Sequence, residues 1–159
     1  MNRKSITISY TEYNSNNELP AKDKELLEAA IEATKTSYAP YSHFNVGAAV
    51  RLANGEIISA SNQENAAYPS GLCAERVAIF YANSRFPEVK VEALAVTAAV
   101  NGNICDNPTY PCGACRQVLA ETEQRSGNKI RIIIGGEKIT QVIDSVEGLL
   151  PFTFDNLPK

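Results

Sequence analysis

Several things are scarce in this sequence, and each scarcity excludes something. No stretch approaches the roughly 20 consecutive apolar residues that a membrane-spanning helix needs, so no membrane partner is expected. The opening residues, Met1 to Tyr13, carry Arg3 and Lys4 but no continuous apolar stretch behind them, so a secretory leader is not expected. Asn-x-Ser/Thr acceptor sites are missing, because Pro108 blocks Asn107-Pro108-Thr109. Excess positive charge is missing too: 15 Lys and Arg stand against 18 Asp and Glu, a net charge of −3, and the basic residues are scattered. That removes the usual electrostatic footprint for gripping a polynucleotide and favours small, uncharged or zwitterionic substrates. Neither an internal repeat nor a low-complexity segment is visible. The cysteines number only 4, too sparse for a secreted disulfide scaffold. A cytoplasmic location with reduced thiols is expected, and reduced, closely spaced cysteines point to metal or catalysis.

At 159 residues the chain has room for one domain and one core. Its 44% hydrophobic and 21% charged residues are ordinary for a folded protein and argue against a disordered one. Residues 1–19 are polar and read as an extension, either an edge strand around Ile6–Tyr10 or a loose tail. Residues 20–159 read as a single domain. Pro20 opens a helical pattern to about Tyr38, with Leu27, Ala30, Ile31 and Thr34 on one face. Phe44 to Ala53 and Glu56 to Ala60 read as a hairpin whose Asn54-Gly55 turn asks for positive φ at both positions. A polar loop, Ser61 to Leu72, leads to a helix from Cys73 to about Asn83. Ala93 to Val100 is a strand, Asn101 to Tyr110 a loop, and Pro111 opens a helix through about Arg125. Ile130 to Ile134, apolar but for Arg131, reads as a strand buried on both faces. Val142-Ile143 follows as a last strand and Ser145 to Leu150 as one short turn. Strands alternating with helices predict a layered α/β domain with its sheet covered on both sides.

The chemistry concentrates in the cysteines. Cys112 and Cys115 are spaced to share one face of a first helical turn, where the dipole favours thiolate over thiol. Cys73 heads another helix, in Cys73-Ala74-Glu75-Arg76. Positions i and i+2 of a regular helix point about 200° apart, so Cys73 and Glu75 can converge only if the cysteine sits at the cap. Two helix ends meeting at one point would bring three thiolates to one zinc ion and leave a fourth position for water. Three other readings remain open at this point. The Cys-x-x-Cys pair could be a redox couple, two buried cysteines, or part of a closed structural site with Cys105 as fourth ligand. Glu75 favours the catalytic reading, because a metal-bound water needs a base.

Cys73-Ala74-Glu75-Arg76, followed by Pro111-Cys112-Gly113-Ala114-Cys115-Arg116, resembles the zinc-dependent cytidine deaminases. Cysteine rather than histidine as first ligand resembles their small, three-cysteine, homotetrameric branch. Tyr38-Ala39-Pro40-Tyr41-Ser42 with Phe44-Asn45-Val46-Gly47-Ala48-Ala49, and Asn62-Gln63-Glu64-Asn65-Ala66-Ala67-Tyr68, are similar to two further family motifs, so the resemblance runs from about Leu26 to Phe154. It implies a three-layer α/β/α fold with a mixed sheet of about five strands. It implies one Zn²⁺ per chain on Cys73, Cys112 and Cys115, with Glu75 as the proton shuttle. Phe44 would pack on the pyrimidine, Asn62 and Glu64 would bind the ribose hydroxyls, and Arg76 would hydrogen-bond the thiolates. Without the resemblance, Phe44 reads as a buried strand-end aromatic and Asn62 and Glu64 as loop polarity. Phe154, with Phe152 as its competitor, resembles a C-terminal aromatic that reaches a neighbouring subunit's site. His43 is left as a loop or surface residue.

The implied reaction is hydrolytic deamination of cytidine and deoxycytidine to uridine and deoxyuridine in pyrimidine salvage, with release of ammonia. The partners implied are a small nucleoside, no nucleic acid, no membrane, and sister subunits of a homotetramer with shared active sites. A blasticidin-type nucleoside antibiotic is the alternative substrate, and a non-catalytic zinc-stapled nucleoside-binding module the alternative class. Two departures stand out: Ser61 replaces a frequent cysteine, and the polar extension lies outside the family's core.

Overall fold

The computed structural model describes residues 1–155; the last four positions of the expected 20–159 domain lie outside them. In chain order the elements are β1 (Thr11–Tyr13), α1 (Ala21–Ala33), β2 (Asn45–Leu52), β3 (Ile57–Ser61), α2 (Ala74–Arg85), β4 (Val91–Val100), β5 (Asn103–Ile104), α3 (Gly113–Ser126), β6 (Arg131–Ile134) and β7 (Thr140–Ile143). The strands form one mixed sheet in the order β1-β7-β6-β4-β2-β3, with β5 paired to β4. Among the strands of the described residues only β4 and β6 run parallel, joined by the crossover that contains α3. The sheet has seven strands rather than about five, because two short strands, β1 and β5, add to it. The extension pairs with β7 through Thr11–Tyr13, downstream of the alternating Ile6–Tyr10 stretch.

Alternation along β4 separates the two faces. Leu94 and Val96 pack with Ile79 of α2, Leu119 of α3 and Ile132 and Ile134 of β6. Ala93 and Ala95 pack with Leu26, Leu27 and Ala30 of α1 and with Ile133. The α1 side is lined with small side chains, so the helix lies close to the sheet. The closest approach is at Gly47 of β2, where an added Cβ would stand 2.0 Å from the Ala30 carbonyl oxygen and 2.7 Å from the Thr34 nitrogen. An ion pair anchors α1 as well: Arg131 Nε donates to the buried Asp23 Oδ2 at 2.8 Å. At the far end of α3, the buried Glu123 carboxylate accepts from Ile130 N at 2.8 Å and Val146 N at 3.0 Å.

Two Asn-Gly pairs behave differently. Gly55 N donates to Leu52 O at 2.9 Å, and of Asn54 and Gly55 only the glycine has positive φ, at 88°. The β2–β3 hairpin therefore needs three loop residues, not the two-residue turn the sequence suggests. The two-residue turn with both positions positive is Asn101-Gly102, at 51° and 79°, which joins β4 to β5 inside the segment read as a loop.

Because the atoms facing Gly47 are backbone and cannot retreat, Gly47→Ala is expected to destabilise the fold by about 2–3 kcal/mol. Urea denaturation should show this as a lower midpoint with unchanged slope.

Candidate active site

Cys73 and Cys112 occupy equivalent positions, the N-caps of α2 and α3, with extended backbone at φ −69°, ψ 152° and φ −68°, ψ 167°. Neither side chain caps its own helix, so both sulfurs are free to point elsewhere. Pro111 therefore precedes the cap rather than forming the first helical residue. Cys115 follows on the first turn of α3 and is buried. Cys73 Sγ lies 3.8 Å from Cys112 Sγ, which lies 3.5 Å from Cys115 Sγ, and all three sulfurs fall within 4.8 Å of one another. Sulfurs placed tetrahedrally about 2.3 Å from zinc stand about 3.8 Å apart, so the trio fits that ion in spacing and donor type. Cys105 is not in the ligating group found among the described residues, which argues against a closed four-sulfur site.

Such crowding forces unequal ionisation. The Cys115 thiol, and after it Arg76, pull the Cys73 thiol down to about 5. Cys115 is pushed above the usual thiol range by its hydrogen bond to Cys73 and by burial. A divalent cation among the sulfurs removes the conflict, since coordinated thiols give up their protons. Arg76 Nη2 donates to Cys73 Sγ at 3.6 Å and supplies positive charge from outside the cluster.

Glu75 follows Cys73 by two residues and shares its cavity because the cysteine is at the cap. The residue is only 4% exposed, and Oε2 has no hydrogen-bond partner. Burial, more than any neighbouring charge, raises its pKa. A buried carboxylate oxygen left unpaired is costly unless a ligand completes it. The adjoining cavity has a volume of about 630 Å³, and Phe44, Asn62, Glu64, Cys73, Glu75 and Cys112 are among its lining.

The predicted substrate residues have other commitments as well. Asn62 Oδ1 accepts from Ser37 Oγ at 2.6 Å and Val46 N at 2.8 Å, while its Nδ2 donates to Phe44 O at 2.9 Å. Asn62 thus staples the loop after β3 to the start of β2, and one N–H of its amide remains. Glu64 accepts from Ser42 Oγ and from Tyr41 N at 2.5 and 2.9 Å, bonds that hold its pKa down, the Ser42 hydroxyl most of all. Phe154 does not line this cavity: it is 70% exposed and borders a separate hollow beside α3, with Gln117 Nε2 donating to its carbonyl at 2.8 Å. His43 is exposed, in a turn with φ 56°.

Sequence reasoning gave no role to Tyr68 or Tyr110, both in the cavity lining, although Tyr68 ends one quoted motif and Tyr110 adjoins another. It quoted Arg116 without a role; its Nε donates to Pro111 O at 2.9 Å and its Nη1 donates to Leu149 O at 2.8 Å. That side chain ties the Pro111-Cys112 corner to the C-terminal segment.

Removing the ligand set should expose the dependence on metal. Protein purified without chelator is expected to carry about one zinc per chain by elemental analysis, and Cys112→Ser to carry far less. Chelation of the wild-type protein is expected to lower its melting temperature, because the folded state alone holds the preformed site.

Comparison with known proteins agrees with this geometry. Residues 20–127 match the model of the cytidine and deoxycytidylate deaminase zinc-binding region. A cytidine deaminase from Halalkalibacterium halodurans is 46% identical over 96 residues, which is 60% of this chain and 68% of that relative. The crystal structure of a cytidine deaminase from Burkholderia pseudomallei superposes with a TM-score of 0.67 at 34% identity, covering 82% of this chain and 97% of the other. One from Mycobacterium tuberculosis gives 0.65 at 30% identity, covering 83% and 96%. With two thirds of its length under the family model, and the three sulfurs and the buried carboxylate gathered in one cavity, the chain belongs to the cytidine and deoxycytidylate deaminase family.

Proposed function

We infer that this protein is a zinc-dependent deaminase that hydrolyses cytidine and deoxycytidine to uridine and deoxyuridine with release of ammonia. The observation that carries the reading is the unpartnered Oε2 of the buried Glu75, set in the same cavity as three sulfurs spaced for zinc. A module that only bound nucleosides would have no use for a proton acceptor there.

Cys73, Cys112 and Cys115 would hold the ion, and zinc so bound supplies a Lewis acid that makes water a nucleophile near neutral pH. Glu75 takes one proton from the attacking water and delivers it to N3 of the pyrimidine; it then takes the second proton from the hydroxyl now on C4 and passes it to the amino group, which leaves as ammonia while the oxygen stays as the C4 carbonyl. Burial favours its protonated form, which suits a group that must carry a proton between two sites. Phe44 lies against the pyrimidine, while the remaining N–H of Asn62 and the carboxylate of Glu64 meet the ribose. The turn at Tyr41-Ser42 holds Glu64 charged and aimed. Phe154, exposed on its own chain, reaches the site of a neighbouring subunit in a homotetramer, and the protein serves cytoplasmic pyrimidine salvage. Among the described residues no helix is long and apolar enough to cross a membrane.

Cytidine turnover, followed by loss of the cytosine absorbance band with zinc measured on the same sample, tests the reading. Zinc-loaded protein that leaves cytidine intact refutes it. Glu75→Gln is expected to keep its zinc and lose about 10²–10⁴-fold in kcat. Arg76→Ala leaves the thiolate charge uncompensated, which would weaken the Lewis acidity that a bound zinc supplies. The acidic limb of the rate profile should then move to higher pH, and an unmoved limb would show that Arg76 does not tune the metal.

A further inference from the structure

Tyr110 lines the substrate cavity two residues before Cys112, and it also lines a second, shallower hollow. That hollow is completed by Ile8 and Tyr10 of the N-terminal segment together with Arg116 and Leu149. Tyr110 is thus a partition, with the substrate cavity on one side and the extension on the other. Its hydroxyl donates to Gln141 Oε1 at 2.5 Å, and Gln141 Nε2 donates to Glu12 Oε2 at 2.8 Å. Glu12 and Gln141 face each other directly across the β1–β7 ladder. An ionised carboxylate can only accept hydrogen bonds. Glu12 therefore takes the nitrogen end of the Gln141 amide, and this turns the oxygen end toward Tyr110. Thr140 Oγ1, donating to Asn16 Oδ1 at 2.6 Å, holds the extension down beyond the strand.

We propose that the N-terminal strand is part of the substrate site: Glu12, acting through Gln141, is a positioning residue that fixes Tyr110 as a cavity wall and so sets nucleoside affinity. The proposal rests on the deaminase reading. The Tyr110 hydroxyl is bonded to Gln141 rather than to a cysteine or Glu75, so a loosened ring weakens ground-state and transition-state binding alike. That pattern raises KM and leaves kcat in place. The extension, outside the family's core, thereby becomes a determinant of how tightly this chain holds its substrate.

The test uses the full-length, zinc-loaded protein with cytidine. Glu12→Ala and Tyr110→Phe are each expected to raise KM roughly threefold to tenfold at constant kcat and zinc content. The double variant should be no worse than Tyr110→Phe alone, since Glu12 acts through that hydroxyl. Gln141→Glu sets two carboxylates face to face and should raise KM. Adding Glu12→Gln to it restores one donor and one acceptor and should bring KM back. Glu12 is exposed, so these exchanges leave the core alone. An unchanged KM in Glu12→Ala, effects that multiply in the double variant, or a swap that fails to restore KM each overturn the positioning role. A wild-type protein without cytidine turnover overturns the deaminase reading instead.

Discussion

Three sulfurs within 4.8 Å of one another, at the ends of two helices, are the constraint around which this molecule is arranged. Thiols packed so closely cannot all ionise without a cation, and the helix dipoles and Arg76 only lessen the conflict. The packing that enforces the meeting is apolar. Ile79 of α2 and Leu119 of α3 are buried in one cluster against β4 and β6, which leaves the two helix starts little freedom to move apart. A metal bound there then acts as a joint between two elements that the core has already brought together.

Glu75 depends on the same joint. Had Cys73 been inside the helix, a residue two positions on would face away from it. With the cysteine at the cap, the carboxylate enters the cavity and loses its solvent. Burial and the missing partner at Oε2 are two sides of one cost, which folding carries so that a substrate can complete the bond.

Local chemistry made much of this legible in the sequence. Helical spacing located α1 to α3, the Ile130–Ile134 run located β6, and the offsets among Cys73, Glu75, Cys112 and Cys115 located the site. What escaped has a common cause: it depends on contacts distant in sequence. The strand β1 exists because β7 offers it an edge, not because Thr11–Tyr13 has strong strand character. The two Asn-Gly turns look alike as dipeptides, and the strands around them decide which adopts positive φ twice. Asn62 looks like a ligand-binding side chain, yet three of its hydrogen bonds hold Ser37, Phe44 and Val46 in place. Tyr110 shows no sign, in its own neighbourhood, of the glutamine 31 residues away that receives its hydroxyl.

The position of β6 in the sheet also has a consequence for biosynthesis. β6 lies between β4 and β7, yet it follows α1, β2, β3 and β4 in the chain, and its Arg131 is the partner of Asp23, 108 residues earlier. A ribosome therefore delivers α1, the β2–β3 hairpin and β4 well before the strand that completes them. Until Arg131–Ile134 emerges, β4 presents an unpaired edge and Asp23 has no Arg131 to receive. The nascent chain is most open to mispairing or capture by a chaperone in that interval, which ends only when β6 has emerged.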